Sequence, residues 1–214
     1  MAQPPLRTDP PPSTARGRVR RARLLQVACE HFLANGYDGT SMDAVVAAAG
    51  GSKATLYRNF GDKQTLFAAC IAHLCDEFLA RLATLDIEHP GFDDALRAIL
   101  LELVDVVGSP RHVEFYRLVV AGAGVPGVGE AWYRHGPQVW HRLLTRLLDR
   151  HARATGDTPA TIPHGTLAEL LFDSLLAHLT IETVILGHAI DRDRVAARIE
   201  AIVTAARQLV APKA

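Results

Sequence analysis

Residues 40–63 read TSMDAVVAAAGGSKATLYRNFGDK, and the polar side chains in this run have the types and spacing to meet a polyanion. Ser52, Lys53, Ala54 and Thr55 follow a glycine pair, and their small neighbours let a helix approach base edges in a DNA major groove. Lys53 suits the O6 and N7 acceptors of guanine, and Thr55 offers a hydroxyl or a methyl group. Tyr57 and Lys63 flank this face and suit phosphate oxygens. Thr40 stands at the start of the preceding helix, where unpaired N–H groups and the helix dipole favour an anion. A plain helical hairpin with solvated polar residues uses the same residue types, so topology alone leaves both open.

Positioning these side chains takes two short helices set by a turn. Residues 41–49 are apolar at Met42, Val45, Val46 and Ala49, and Gly50-Gly51 breaks the run. Thr40, with Asp43 three residues on, has the form of a capping box. Ser52 is a good cap for a second short helix over 53–59. Ahead of them, a helix over 15–35 buries Leu25, Ala28, Cys29 and Phe32 on one stripe and ends at Gly36. Behind them, Asp62 caps a long connecting helix over 63–84. Longer helices follow at 92–107, 111–121, 128–154, 166–186 and 192–210, with a glycine-rich connector at 122–129 and a loop at 156–165. Period-two alternation is absent, so the chain is predicted to be all-α. Residues 1–14 are proline-rich and predicted to be a disordered tail.

Charge follows the same division. The 214 residues hold 23 basic and 23 acidic side chains, so the formal charge is zero. The first 63 residues nevertheless carry nine basic against five acidic groups, and the remainder is correspondingly acidic. A basic module before an acidic one points to polyanion binding by one part only. Five of those basic groups, Arg16, Arg18, Arg20, Arg21 and Arg23, form an arm that opens the first helix. Arg16, Arg18, Arg20 and Arg21 are candidate phosphate or minor-groove contacts.

The run GYDGTSMDAVVAAAGGSKATLYRNFGDKQTLF, with Phe32 ahead of it, resembles the DNA-binding domain of the TetR/AcrR family of transcriptional regulators. The likeness covers about residues 21–67. It implies that Thr40, Tyr57 and Lys63 hold backbone phosphates. It also implies that Ser41, Lys53, Ala54, Thr55 and Asn59 lie near base edges, with Ser52 and Arg58 on the same helix. Two residues depart from the pattern. Gly51 replaces an apolar turn residue, which predicts a looser turn, and Asn59 stands where an aromatic or histidine is common. Leu56 and Phe60 read as core residues holding the second helix. The implied organisation is a helix-turn-helix domain over 15–62 and an effector-binding and dimerisation domain over 63–214, the latter similar to the AefR-type variety.

In that second part Phe115, Tyr116, Trp132, Tyr133, Trp140 and Phe172 supply aromatic walls. His141, Asp173 and His178, with Glu114 and Arg117, supply polar groups of the kind a small-molecule pocket uses. An apolar or aromatic effector suits them. The last two helices, with Leu167, Leu171, Leu175, Leu179 and Val184, are expected to pair two subunits into a four-helix bundle, which matches a palindromic operator. The whole then reads as a ligand-responsive repressor. A helical interaction module without DNA is the alternative, and an enzyme is disfavoured because no nucleophile elbow, P-loop, dinucleotide or zinc-protease motif occurs. No metal or cofactor is expected: Cys70, His73 and Cys75 are poorly spaced for convergence on a metal. The apolar run 167–190 is interrupted by Glu169, Asp173, His178, Glu182 and His188, so no membrane partner is expected. Three cysteines and no signal peptide suit the cytoplasm.

Overall fold

A computed structural model describes residues 14–88, 91–156 and 162–210. The expected tail lies almost wholly outside them, as does the middle of the expected loop at 156–165. Among the described residues every regular element is helical. The chain divides into two compact units, one of residues 14–75 with Arg117–Tyr133, the other of Asp76–Tyr116 with residues 134–210.

In the first unit, α1 (Ala15–Gly39) opens with the Thr14 hydroxyl accepting from Gly17 N–H at 3.1 Å. Leu24, Leu25, Ala28, Cys29 and Phe32 recur at helical spacing and are all buried. Near its end Gly36 takes φ 70°, ψ −179°, a backbone state that L-residues rarely adopt, and the helix kinks there. α2 (Met42–Ala49) follows, closed by Gly50 in the left-handed region. Next come α3 (Lys53–Phe60), capped by Ser52, and α4 (Lys63–Phe78), whose first turn is capped by Asp62 Oδ1 accepting from Thr65 N–H at 2.7 Å. Val45, Leu56, Phe60, Leu66, Phe67, Cys70 and Ile71 complete a core beneath α2 and α3. At Gly51 an added Cβ would meet Leu24 Cδ2 and Arg20 Nη2 at 3.7 Å, ordinary contact, so the turn has room for a Cβ.

Three expectations are corrected. Ser41, not Thr40, caps α2: its hydroxyl accepts from Ala44 N–H at 3.1 Å. Thr40 is buried, and its hydroxyl is engaged by the carbonyls of His31 at 3.0 Å and Gly36 at 2.9 Å. The connecting helix ends at Phe78 and tightens into a 3₁₀ turn over Ala80–Thr84. The single helix expected over 128–154 is two, α7 (Val128–His135) and α8 (Pro137–Thr155), because Gly136 is non-helical and Pro137 has no N–H to continue the ladder.

In the second unit α5 (Phe92–Val107), α8, α9 (His164–Thr180) and α10 (Arg192–Val210) enclose one apolar core, including Leu96, Leu100, Leu147, Phe172 and Ile199. α6 (Pro110–Ala121) and α7 stand between α5 and α8 in the chain. The helix expected to run to residue 186 loosens into a π-helical turn at Ile181–Ile185, a β-branched stretch that resists regular α packing. Arg97 fastens α5 to α10 through both oxygens of Glu200, at 2.6 and 2.9 Å.

Candidate nucleic-acid interface

α3 is only eight residues long, and its two faces divide cleanly. Leu56 and Phe60 are buried, while Lys53, Ala54, Tyr57 and Arg58 are exposed. Ser52 sets the first turn, and its hydroxyl also lies 2.9 Å from that of Thr55. Thr55 therefore has a fixed hydroxyl with its side chain half-buried. Asn59 is likewise half-buried, and its amide nitrogen donates to Thr55 O at 2.7 Å. Ser41 is exposed at the start of α2, whereas Thr40, turned inward, supports the α1–α2 corner.

Two ammonium groups are held at defined places. Lys53 Nζ lies 2.7 Å from Asp43 Oδ1 of α2, with both side chains more than 60% exposed. The bond to Asp43 raises the Lys53 pKa from its ordinary value. Lys63 Nζ sits 4.4 Å above the Tyr37 ring and donates to Asp38 O at 3.5 Å. Burial, with the neighbouring Asp62 and Asp38 carboxylates, raises the Tyr37 pKa, so its phenol stays protonated. On α1, Arg16, Arg18 and Arg20 are exposed; Arg21 is half-buried, its guanidinium 4.7 Å from the Phe60 ring centre.

The Asp43–Lys53 pair gives a direct test. Asp43→Asn removes a carboxylate from a face that carries exposed cations, and frees Lys53. An exposed pair contributes about 0–1 kcal/mol, so the melting temperature is expected to move little. Affinity for random-sequence duplex is expected to rise by about threefold to tenfold at low salt, with a steeper salt dependence. Fluorescence anisotropy across a salt series checks both.

The aromatic residues of the second part fall into separate places. Phe115 is buried against Phe78, at 5.3 Å between ring centres, and His112 packs on Phe78, Phe115 and Tyr116. Trp140 stacks on Phe172 at 6.3 Å within the core, and the His141 ring stands edge-on to Phe172 at 4.9 Å. Burial lowers the His141 pKa. Trp132 and the exposed Tyr133 belong to the first unit, not to this one. Asp173 is exposed. His178 lines a shallow surface hollow with Glu182, Asp191 and Arg194. Among the described residues no cluster of three or more metal-binding side chains occurs, and no helix is long and apolar enough to cross a membrane.

Two residues with buried polar atoms lie outside the expected site residues. Glu102 lies in the apolar stretch of α5 and is buried; Arg81 pairs with its Oε2 at 3.2 Å, while Oε1 has no partner. His112 Nδ1 is also buried without a partner, and desolvation takes its pKa down to about 4. An unfolded histidine titrates near 6.5, so between these values the unfolded chain binds the extra proton. Stability is therefore expected to fall as pH drops from about 6.5 towards 4, by up to about 3 kcal/mol from this group. His112→Phe is expected to flatten that limb of a pH–stability curve measured by urea unfolding.

Residues 24–70 match the family described as bacterial regulatory proteins, tetR family, and residues 94–206 match the AefR-like transcriptional repressor C-terminal domain. The DNA-binding transcriptional repressor TetR of Mycobacteroides abscessus is 46% identical over 57 residues, which are 27% of this chain and 30% of that protein. The HTH-type transcriptional repressor AcnR of Corynebacterium diphtheriae is 26% identical over 164 residues, covering 75% of this chain and 81% of that one. Among solved structures, a TetR-family regulator from Mesorhizobium loti superposes with TM-score 0.74 at 25% identity, over 92% of this chain and 98% of that one. The flavonoid-responsive regulator FrrA gives TM-score 0.74 at 26% identity, over 89% and 96%. A helix-turn-helix with an exposed polar recognition face, followed by an AefR-like helical part, is thus matched over most of its length: the chain belongs to the TetR family and is a DNA-binding transcriptional regulator.

Proposed function

We propose that this regulator is a repressor that binds a palindromic operator as a dimer and is released by a small apolar or aromatic effector. The observation that carries the DNA half is the division of α3: Leu56 and Phe60 are buried, and Lys53, Ala54, Tyr57 and Arg58 are presented outward. Lys53, Ala54, Thr55 and Asn59 are assigned to base edges, with Ser41 at the α2 start. Tyr57, Arg58 and Lys63 are assigned to phosphates, and Thr40 to bracing the corner that aims Ser41. Arg16, Arg18 and Arg20 add sequence-independent attraction. In this division of labour residues 15–62 read DNA, and 63–214 sense and dimerise.

Relatives named as repressors support the direction of control, and the flavonoid-responsive relative supports an aromatic effector. The effector is assigned to the group of Phe115 and Tyr116, with the buried, unpartnered His112 Nδ1 as a polar handle. Dimerisation is assigned to α9, the π-turn and α10 through the exposed Leu170, Ile181, Ile185, Leu186 and Leu209; Leu167, Leu171, Leu175 and Leu179, expected to pair the subunits, are instead buried in this chain's own core. The protein then works in the cytoplasm, where its DNA is.

Gel-shift titration of the DNA upstream of its own gene, with and without flavonoids, tests the reading. A specific shift at physiological salt that a flavonoid reverses supports it. No specific shift overturns the operator assignment, and a shift that no flavonoid or other aromatic compound reverses overturns the effector class.

A further inference from the structure

The two anchors on Lys63 lead back through the first unit to a segment far away in sequence. Lys63 Nζ lies over the Tyr37 ring at 4.4 Å. The Tyr37 ring in turn packs on Phe67 of α4, with ring centres 5.0 Å apart at 46°. Phe67 is fully buried and packs on Phe32 at 4.7 Å, while Phe32 also stacks on Tyr37 at 6.3 Å. On Phe67 rests Gly122, just past the end of α6: a Cβ there would stand 2.5 Å from Cε1 and 2.8 Å from Cζ. Only a hydrogen fits between the Gly122 backbone and the ring. Three contacts therefore run without a gap from the 117–133 segment to the Lys63 ammonium: Gly122 on Phe67, Phe67 on Tyr37, and Tyr37 on Lys63.

We propose that Tyr37 is a positioning residue for Lys63, and that the backbone at Gly122 governs that position through Phe67. The inference rests on the assignment of Lys63 to a phosphate. A lysine stem is long and rotamer-rich, so an untethered ammonium loses much entropy on meeting a phosphate oxygen. The Tyr37 face and the Asp38 carbonyl restrict it beforehand, which lowers that cost. Tyr37 can hold the ammonium only while its own ring is held, and that is done by Phe67 and Phe32. Close-packed rings transmit a displacement instead of absorbing it. Phe32 backs Phe67, so a shift of the 117–133 backbone against Phe67 is passed to Tyr37. A shift of the 117–133 backbone thereby changes the strength of a phosphate contact within the first unit.

The test uses the full-length protein and a random-sequence duplex of about thirty base pairs, because a phosphate contact is blind to sequence. Tyr37→Leu is expected to lower affinity by about threefold to fivefold, the worth of an exposed cation–π contact, and to flatten the salt dependence. Tyr37→Phe keeps the ring face and is expected to match the parent. Gly122→Ala is expected to weaken binding in the same range. In a Lys63→Met background neither Tyr37→Leu nor Gly122→Ala is expected to add a further loss. Additive losses in that background overturn the relay, as does a Tyr37→Phe variant that behaves like Tyr37→Leu. Should Gly122→Ala prove unfolded by thermal melt, the two Tyr37 variants still decide whether Lys63 is positioned by the ring. If Lys63→Met alone leaves the salt slope unchanged, Lys63 holds no phosphate and the whole scheme falls, a failure distinct from that of the relay.

Discussion

Replacing Lys53, Tyr57 and Lys63 together with Met, Leu and Met is expected to lower operator affinity by about two to three orders of magnitude at physiological salt. A well-made base contact is worth about 1–3 kcal/mol of discrimination, and each lost phosphate contact takes nearly one unit from the slope of log K against log salt. On the proposed assignment Lys53 contributes mainly the first effect, and Tyr57 and Lys63 the second. The fold is expected to survive. Lys53 is bonded to an exposed carboxylate, Tyr57 is 47% exposed, and Lys63 lies on the outside of its ring contact. Surface changes of this kind usually stay within about 0.5 kcal/mol each. The comparison that matters is operator against random duplex. Loss of preference together with a shallower salt slope supports the assignment. Unchanged operator binding in a folded triple variant removes these residues from the interface.

Phe60→Ala is expected to cost about 3–5 kcal/mol of stability in the first unit. Its ring is 3% exposed and is half of the apolar face by which α3 is held. An isolated helix of that length does not form in water, so tertiary contacts from Leu56 and Phe60 must hold it. The same ring carries the Arg21 guanidinium at 4.7 Å, so the substitution also unmoors one arginine of the N-terminal arm. Urea unfolding monitored by circular dichroism gives the stability change, and operator binding is expected to disappear well below the parent's melting temperature. Phe60→Leu keeps most of the buried volume and is expected to recover more than half of the loss. A change under about 1 kcal/mol for Phe60→Ala places the ring outside the core.

Local signals made the helix-turn-helix legible: Ser52 and Asp62 as caps, Gly50 as a left-handed stop, and Leu56 and Phe60 four apart on one face. Where two hydroxyls stood side by side, local rules did not decide. Thr40 and Ser41 both suit a helix start, and the choice fell to the His31 and Gly36 carbonyls, which take up the Thr40 hydroxyl. The α7–α8 break falls at Gly136-Pro137, two residues inside a run whose apolar periodicity alone reads as one helix. Glu102 escaped notice for a different reason: a carboxylate in an amphipathic helix reads as solvent-facing, and its burial depends on Arg81, a partner from another element. The Tyr37–Phe67–Gly122 contacts lie between residues widely separated in sequence, which spacing rules do not reach.

The Asp43–Lys53 bridge also bears on how fast a few copies of this protein find their site. A chromosome offers about 10⁶–10⁹ decoy positions, and time spent on each is set by non-specific affinity. On the proposed assignment of Lys53 to a base edge, the Asp43 carboxylate is expected to shorten those visits, because random DNA must displace it without a base contact in return. At the operator the base contact compensates for the displaced partner. On that assignment the bridge is expected to act as a brake on sticking, applied everywhere except at the target.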